Sequence, residues 1–157
     1  MNILTEAEKA YLAGFFDGEG CISIGKYQGK NNRTPVYQLM VVVSQKEDLS
    51  ELCRLAGVGS VVVNNHRHGW VYYSWRMSPH DGAEFLATIL PYLRNKAQEA
   101  EIAIEYQSRQ GHKTSTGRGY IVPQHLIDEK ERYYQTLRTL KGRSGGMGGR
   151  GRQKQVK

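Results

Sequence analysis

The stretch Leu12-Ala13-Gly14-Phe15-Phe16-Asp17-Gly18-Glu19-Gly20 constrains this chain more than any other. Thr5 and Glu8 form a Thr-x-x-Glu capping box, which predicts a helix from near Thr5 to about Asp17. Gly14 and Gly18 lie four apart on one face of that helix, where a second backbone can approach closely. Asp17 and Glu19 then fall where the helix unwinds into the apolar alternation Cys21-Ile22-Ser23-Ile24. Carboxylates at a helix C-terminus oppose the macrodipole and gain nothing there for stability. A metal ion is the expected partner.

The rest of the chain reads as alternating strands and helices. A first strand is expected from about Cys21 to Gln28, with Ile22 and Ile24 on its core face. A second runs from Val36 to Ser44 through the β-branched run Leu39-Met40-Val41-Val42-Val43. A helix opened by Ser44 or Asp48 carries Leu49, Leu52, Cys53, Leu55 and Ala56 and stops at Gly57. Strands at Ser60 to Asn65 and Trp70 to Ser78 follow, the latter with Tyr73, Trp75 and Met77 on one face and Tyr72, Ser74 and Arg76 on the other. Ser78 caps a helix with Phe85, Leu86, Ile89 and Leu90 inward, and another helix spans Ala97 to about Arg109. A last amphipathic helix covers Gln124 to Lys141, with Leu126, Ile127, Tyr134, Leu137 and Leu140 buried. The order is α+β: αββαββα with an antiparallel sheet, then C-terminal helices.

Charge is unevenly spread along the 157 residues. The segment 142–157 holds six glycines and five of the 22 Lys and Arg and no acid, leaving 17 basic against 15 acidic residues in 1–141. The expected organisation is therefore one domain over 1–141 and a disordered basic tail over 142–157. Residues 21–46 and 57–80 contain no Asp or Glu, and both windows coincide with the expected strands. A basic sheet face is the expected footprint for nucleic acid. Cys21 and Cys53 form neither a disulfide framework nor a ligand pattern, and His66, His68 and His80 fit no common zinc spacing. With no apolar run of transmembrane length and no signal-peptide pattern, the chain is expected to be soluble, intracellular and not secreted.

The stretch 12–20 resembles the signature of the LAGLIDADG homing endonucleases, in a Phe-Phe-Asp-Gly-Glu-Gly variant. The element order fits the same family, in which an αββαββα unit presents a saddle-shaped sheet to the DNA major groove. One copy of the signature is present. The resemblance therefore implies a C2 homodimer joined through Ala13, Gly14, Asp17 and Gly18, acting on a pseudo-palindromic double-stranded site. It implies Mg²⁺ or Mn²⁺ as cofactor, with Glu19 as metal ligand and the Gly18 carbonyl as a second ligand. Most relatives carry Asp at the Glu19 position, and in this family Asp17 is more often structural than a ligand.

The single-motif branch also implies roles for Gln45, which positions solvent around the metals, and Lys96, which lies near the scissile phosphate. Relatives carry an arginine four residues after the Gln45 equivalent, where this chain has Leu49; Lys46 is the substitute on offer. The DNA-facing set is Ser23, Tyr27, Gln38 and Met40 on the first two strands, Lys30, Arg33, His66 and Arg67 at the turns, and Asn64, Tyr72, Ser74 and Arg76 on the last two. Lys30, Arg33 and Arg67 suit phosphates, whereas Gln38, Asn64 and Arg76 can read base edges. The function implied is a metal-dependent homing endonuclease. A non-cleaving binder on the same fold, a maturase or regulator, is the alternative, followed by a generic basic binding module.

Overall fold

The computed structural model of the chain describes residues 1–29, 34–65, 69–110 and 122–142. Helix α1 spans Glu6–Glu19 and opens with the reciprocal capping box of Thr5 and Glu8. It runs two residues beyond the sequence expectation, so Asp17 and Glu19 belong to its last turn. Strand β1, Gly20–Tyr27, begins at once. A Cβ at Gly20 would lie 2.5 Å from both the Phe16 ring and the Phe16 carbonyl, so only glycine permits this immediate change from helix to strand.

Strand β2 covers Val36–Gln45, helix α2 Ser50–Ala56, strand β3 Ser60–Asn65 and strand β4 Val71–Met77. Ser44 lies within β2 and opens no helix. Asp48 instead accepts the Ser50 N–H at 2.9 Å, and α2 ends on Gly57 with φ of 64°. Helix α3 spans Pro79–Ile89, a 3-10 turn follows at Leu90–Tyr92, and α4 and α5 cover Ala97–Ser108 and Gln124–Leu140.

The four strands form one antiparallel sheet in the order β1-β2-β4-β3. Ile22 and Ile24 of β1, Leu39, Val41 and Val43 of β2 and Trp75 of β4 point to the helical side and are buried. Phe85 of α3 sits between Phe16 and Trp75, with ring centroids 5.6 and 5.3 Å away in edge-to-face contacts. Trp75 Nε1 donates to the Val58 carbonyl at 2.8 Å, satisfying the one polar atom of that buried ring. The opposite face of the sheet is uncovered by any described helix, and period-two alternation separates core from open face along β1 and β2, whereas edge strand β3 is exposed on both sides. Leu140, expected in the core, is exposed at the end of α5, which anchors through Leu137 instead. Among the described residues, no helix is long and apolar enough to cross a membrane.

Candidate functional site

The C-terminal end of α1 is wired to a segment nearly eighty residues away. The Asp17 carboxylate accepts the backbone N–H of Arg94 at 2.6 Å, of Asn95 at 3.2 Å and of Lys96 at 2.9 Å, at the N-terminus of α4. A carboxylate gathering free amides at a helix start satisfies donors that have no helical partner. Burial pushes the Asp17 carboxyl upward, but those three N–H bonds and the Lys96 charge outweigh it, and the net shift is downward. Lys96 Nζ in turn donates to the Asp17 carbonyl, which brings its ammonium to the end of α1.

Two of the four residues expected at a dimer contact also serve the chain's own fold. Asp17 spends its carboxylate inside its own chain, and Ala13 is fully buried in its own core. The exposed stripe of α1 is Tyr11, Gly14 and Gly18. A Cβ at Gly14 or Gly18 would meet nothing within 4 Å in the protomer, so their smallness serves no internal packing.

Glu19 is exposed, and among the described residues it makes no hydrogen bond or ion pair. Its neighbour Gly18 is exposed as well. Gln45 ends β2 at the same end of the sheet, since Gly20 pairs with Val43 in the β1–β2 register. Leu49 is completely buried, so a core side chain occupies the position where the family has an arginine, while Lys46 is exposed. The oxygen donors of Glu19 and Gly18 suit a hard cation such as Mg²⁺. Of the two carboxylates in the signature stretch, Glu19 is the one left without a partner among the described residues. The group of three close potential ligands among the described residues is His80, Asp81 and Glu84, which excludes Glu19, and Asp81 there is tied to the cap residue Ser78 at 2.7 Å.

The open face of the sheet carries Ser23, Tyr27, Gln38, Met40, Asn64, Tyr72, Ser74 and Arg76, all on the side away from the core residues. Lys30, Arg33, His66 and Arg67 lie outside the described residues. Tyr27 folds over Gly25, and its hydroxyl donates to Met40 Sδ at 3.0 Å. Ser74 is only 2% exposed because it is enclosed in a polar ladder. Its hydroxyl lies 2.9 Å from Ser44 Oγ and accepts from Asn64 Nδ2 at 3.1 Å. Arg76 Nη2 donates to Asn64 Oδ1 at 3.4 Å. Ser44 was missed at the sequence level, although its parity with Gln38 and Met40 places it on this face.

The expected basic sheet face does not include Lys26. Among the described strand residues, Arg76 is the one charged side chain on the open side, and no carboxylate shares that side. Lys26 projects to the helical side, where it meets Glu131 of α5 at 2.7 Å. Tyr37 also donates its hydroxyl to Glu131, and Gln135 adds a third donor at 2.7 Å. Burial pushes the Glu131 carboxyl up, but these three donors and the Lys26 charge outweigh it and bring it to about 2.

Residues 12–108 match the family described as LAGLIDADG endonuclease. No curated protein matches significantly. Among solved structures, the homing endonuclease I-CvuI in complex with the I-CreI target, in 2 mM Mg with its DNA not cleaved, is similar with a TM-score of 0.58 at 16% identity. That match covers 82% of this chain and 95% of I-CvuI. The group I intron-encoded homing endonuclease I-CeuI, complexed with DNA, gives 0.59 at 16% identity over 92% of this chain and 72% of that one. The meganuclease I-SmaMI, bound to uncleaveable DNA, gives 0.58 at 18% identity over 90% of this chain but 45% of its own. These likenesses show the fold.

Proposed function

The chain belongs to the LAGLIDADG endonuclease family, and from that premise we propose that it is a site-specific, metal-dependent double-strand DNA endonuclease working as a C2 homodimer on a pseudo-palindromic site. The observation that carries this reading is the tie between α1 and α4. Lys96 donates to the Asp17 carbonyl, one residue from Gly18 and two from Glu19, so a cation and an unpartnered carboxylate share one end of the sheet. A stable fold does not require Glu19 there, because it has no partner among the described residues and faces the unfavourable end of the helix dipole.

The homodimer reading is supported by the acids of the signature stretch. A two-metal site clamps both the attacking and the leaving oxygen, and that stretch leaves one carboxylate, Glu19, without a partner among the described residues of its own chain. The chain corresponds to nearly all of I-CvuI and to less than half of I-SmaMI, so it holds one unit where the longer relative has room for two. Two α1 helices meeting along Tyr11, Gly14 and Gly18 bring both Glu19 side chains to the two-fold axis.

Glu19 and the Gly18 carbonyl would hold Mg²⁺ or Mn²⁺, which supplies an activated water and charge stabilisation at the phosphate when bound. Lys96 contributes a fixed positive charge near the phosphate, aimed by its bond to the Asp17 carbonyl. Gln45, at the end of β2, would orient solvent by its amide. The open face of the sheet lies in the major groove, and the sequence offers Lys30, Arg33 and Arg67 for phosphates.

The test is Mg²⁺-dependent cleavage of a plasmid library carrying randomised palindromic sites, with sequencing of the ends. The expected result is a double-strand break at a near-palindromic site, abolished by Glu19→Gln. Selective binding with no cleavage by the wild-type protein would favour a non-cleaving binder on the same fold.

A further inference from the structure

The polar ladder on the open face assigns unequal roles to its members. Asn64 Nδ2 carries two hydrogens, and both are spent, on the Val62 carbonyl and on Ser74 Oγ, each at 3.1 Å. The opposite amide orientation would set Oδ1 against the Val62 carbonyl, two acceptors face to face, so the network itself fixes the amide. Asn64 Oδ1 is thereby turned toward Arg76. Adenine readout by Asn needs amide nitrogen and oxygen together on one base edge, and the committed nitrogen removes Asn64 from that role.

Arg76 differs in every respect that matters for readout. It is exposed, it is the one charged side chain on the open face among the described strand residues, and there it gives only one of its five donors, to Asn64. No carboxylate among the described residues of that face competes for the rest. Resting on the DNA-binding reading above, we propose that Arg76 reads a guanine in each half-site and that Asn64 is the positioning residue that aims it. Ser74 and Ser44 hold Asn64 in turn. A guanidinium fork matches the O6 and N7 acceptors of guanine, and restraint by Asn64 before binding leaves less rotamer freedom to lose at the interface.

The test uses the full-length protein and a duplex library randomised across the target, selected by binding and sequenced. The wild type is expected to show one guanine position per half-site, with discrimination of about tenfold to a hundredfold. Arg76→Ala loses the preference at that position. Asn64→Ala weakens it there several-fold and leaves other positions unchanged, a pattern that general loss of structure does not produce. Replacing that guanine by 7-deazaguanine, which lacks the N7 acceptor, weakens wild-type binding and leaves Arg76→Ala unaffected. Should Asn64→Ala fail to fold, Arg76→Lys carries the comparison, keeping the charge and losing the fork.

A profile without a guanine position overturns the proposal, as does an Asn64→Ala effect spread evenly over the site or centred where Arg76→Ala has none. The guanine signature with no cleavage would count against the nuclease activity alone. Cleavage without the signature would count against this inference alone.

Discussion

The two faces of the sheet each carry a polar network, and they are finished to different degrees. Behind the sheet, Lys26, Tyr37, Glu131 and Gln135 close on one another: one carboxylate receives three donors, and the local charge cancels. In front, Ser44, Ser74 and Asn64 end in a guanidinium most of whose donors face outward. The end of α1 repeats the contrast within a few residues, since Asp17 is saturated and Glu19 is bare. A network that only supports the fold satisfies its charges internally. An exposed group left without a protein partner is hydrated instead, and it stays free to exchange that water for a ligand.

The largest effect is expected where the unfinished end of α1 is altered. Glu19→Gln should lower cleavage by at least about a hundredfold while binding of the same duplex and the melting temperature hold. A variant that cuts normally breaks the contrast between Glu19 and Asp17. Gly14→Leu comes next, because a side chain there meets nothing in the protomer. Sedimentation should shift from dimer toward monomer with little change in helical content, whereas an unchanged dimer would place the partner contact elsewhere.

Asp17→Asn should cost about 2 kcal/mol, because three N–H donors then face a neutral acceptor. The Asp17 carboxyl titrates below its ordinary value when folded, so its contribution is present above the unfolded value and lost as pH falls. Glu131→Gln should cost about 1 kcal/mol after allowance for solvent screening at this partly exposed pair. Glu131 titrates near 2 when folded against 4.5 ordinarily, so this contribution is full above about 4.5 and fades toward pH 2. The Glu131→Gln variant should therefore lose less stability than the wild type across that window in acid denaturation monitored by circular dichroism.

The smallest expected effect is a null one. Lys26→Met should leave the slope of log affinity against log salt unchanged, because Lys26 faces the helices. Loss of a phosphate contact such as that proposed for Lys30 should reduce the slope by about 0.9. A reduced slope for Lys26→Met would erase the distinction between the two faces.

Local features were the legible ones. The capping box of Thr5 and Glu8, the alternation in β4 and the limits of β3 depend on neighbours a few residues apart, and they read directly from the chain. The structural role that the resemblance implies for Asp17 has no local signal, because its three donors lie 77 to 79 residues away. Summing charge over residues 21–46 counts Lys26 toward a basic face. Its parity with Ile22 and Ile24 already assigned it to the helical side, and the reason it tolerates that side, Glu131, stands 105 residues on. Asn64 could be read as a base reader until the partners of its amide nitrogen were located. Leu140 shows the reverse failure: periodicity extends a helix stripe past the point where the core ends.

The bond from Lys96 to the Asp17 carbonyl also determines when disorder is lost. A free lysine side chain gives up roughly 2 kcal/mol of rotamer freedom when it is fixed in place. Here that loss falls on folding, once, and is shared with the amides that hold Asp17. Under the nuclease reading, a phosphate arriving at that end of the sheet would meet an ammonium whose rotamer freedom is already spent.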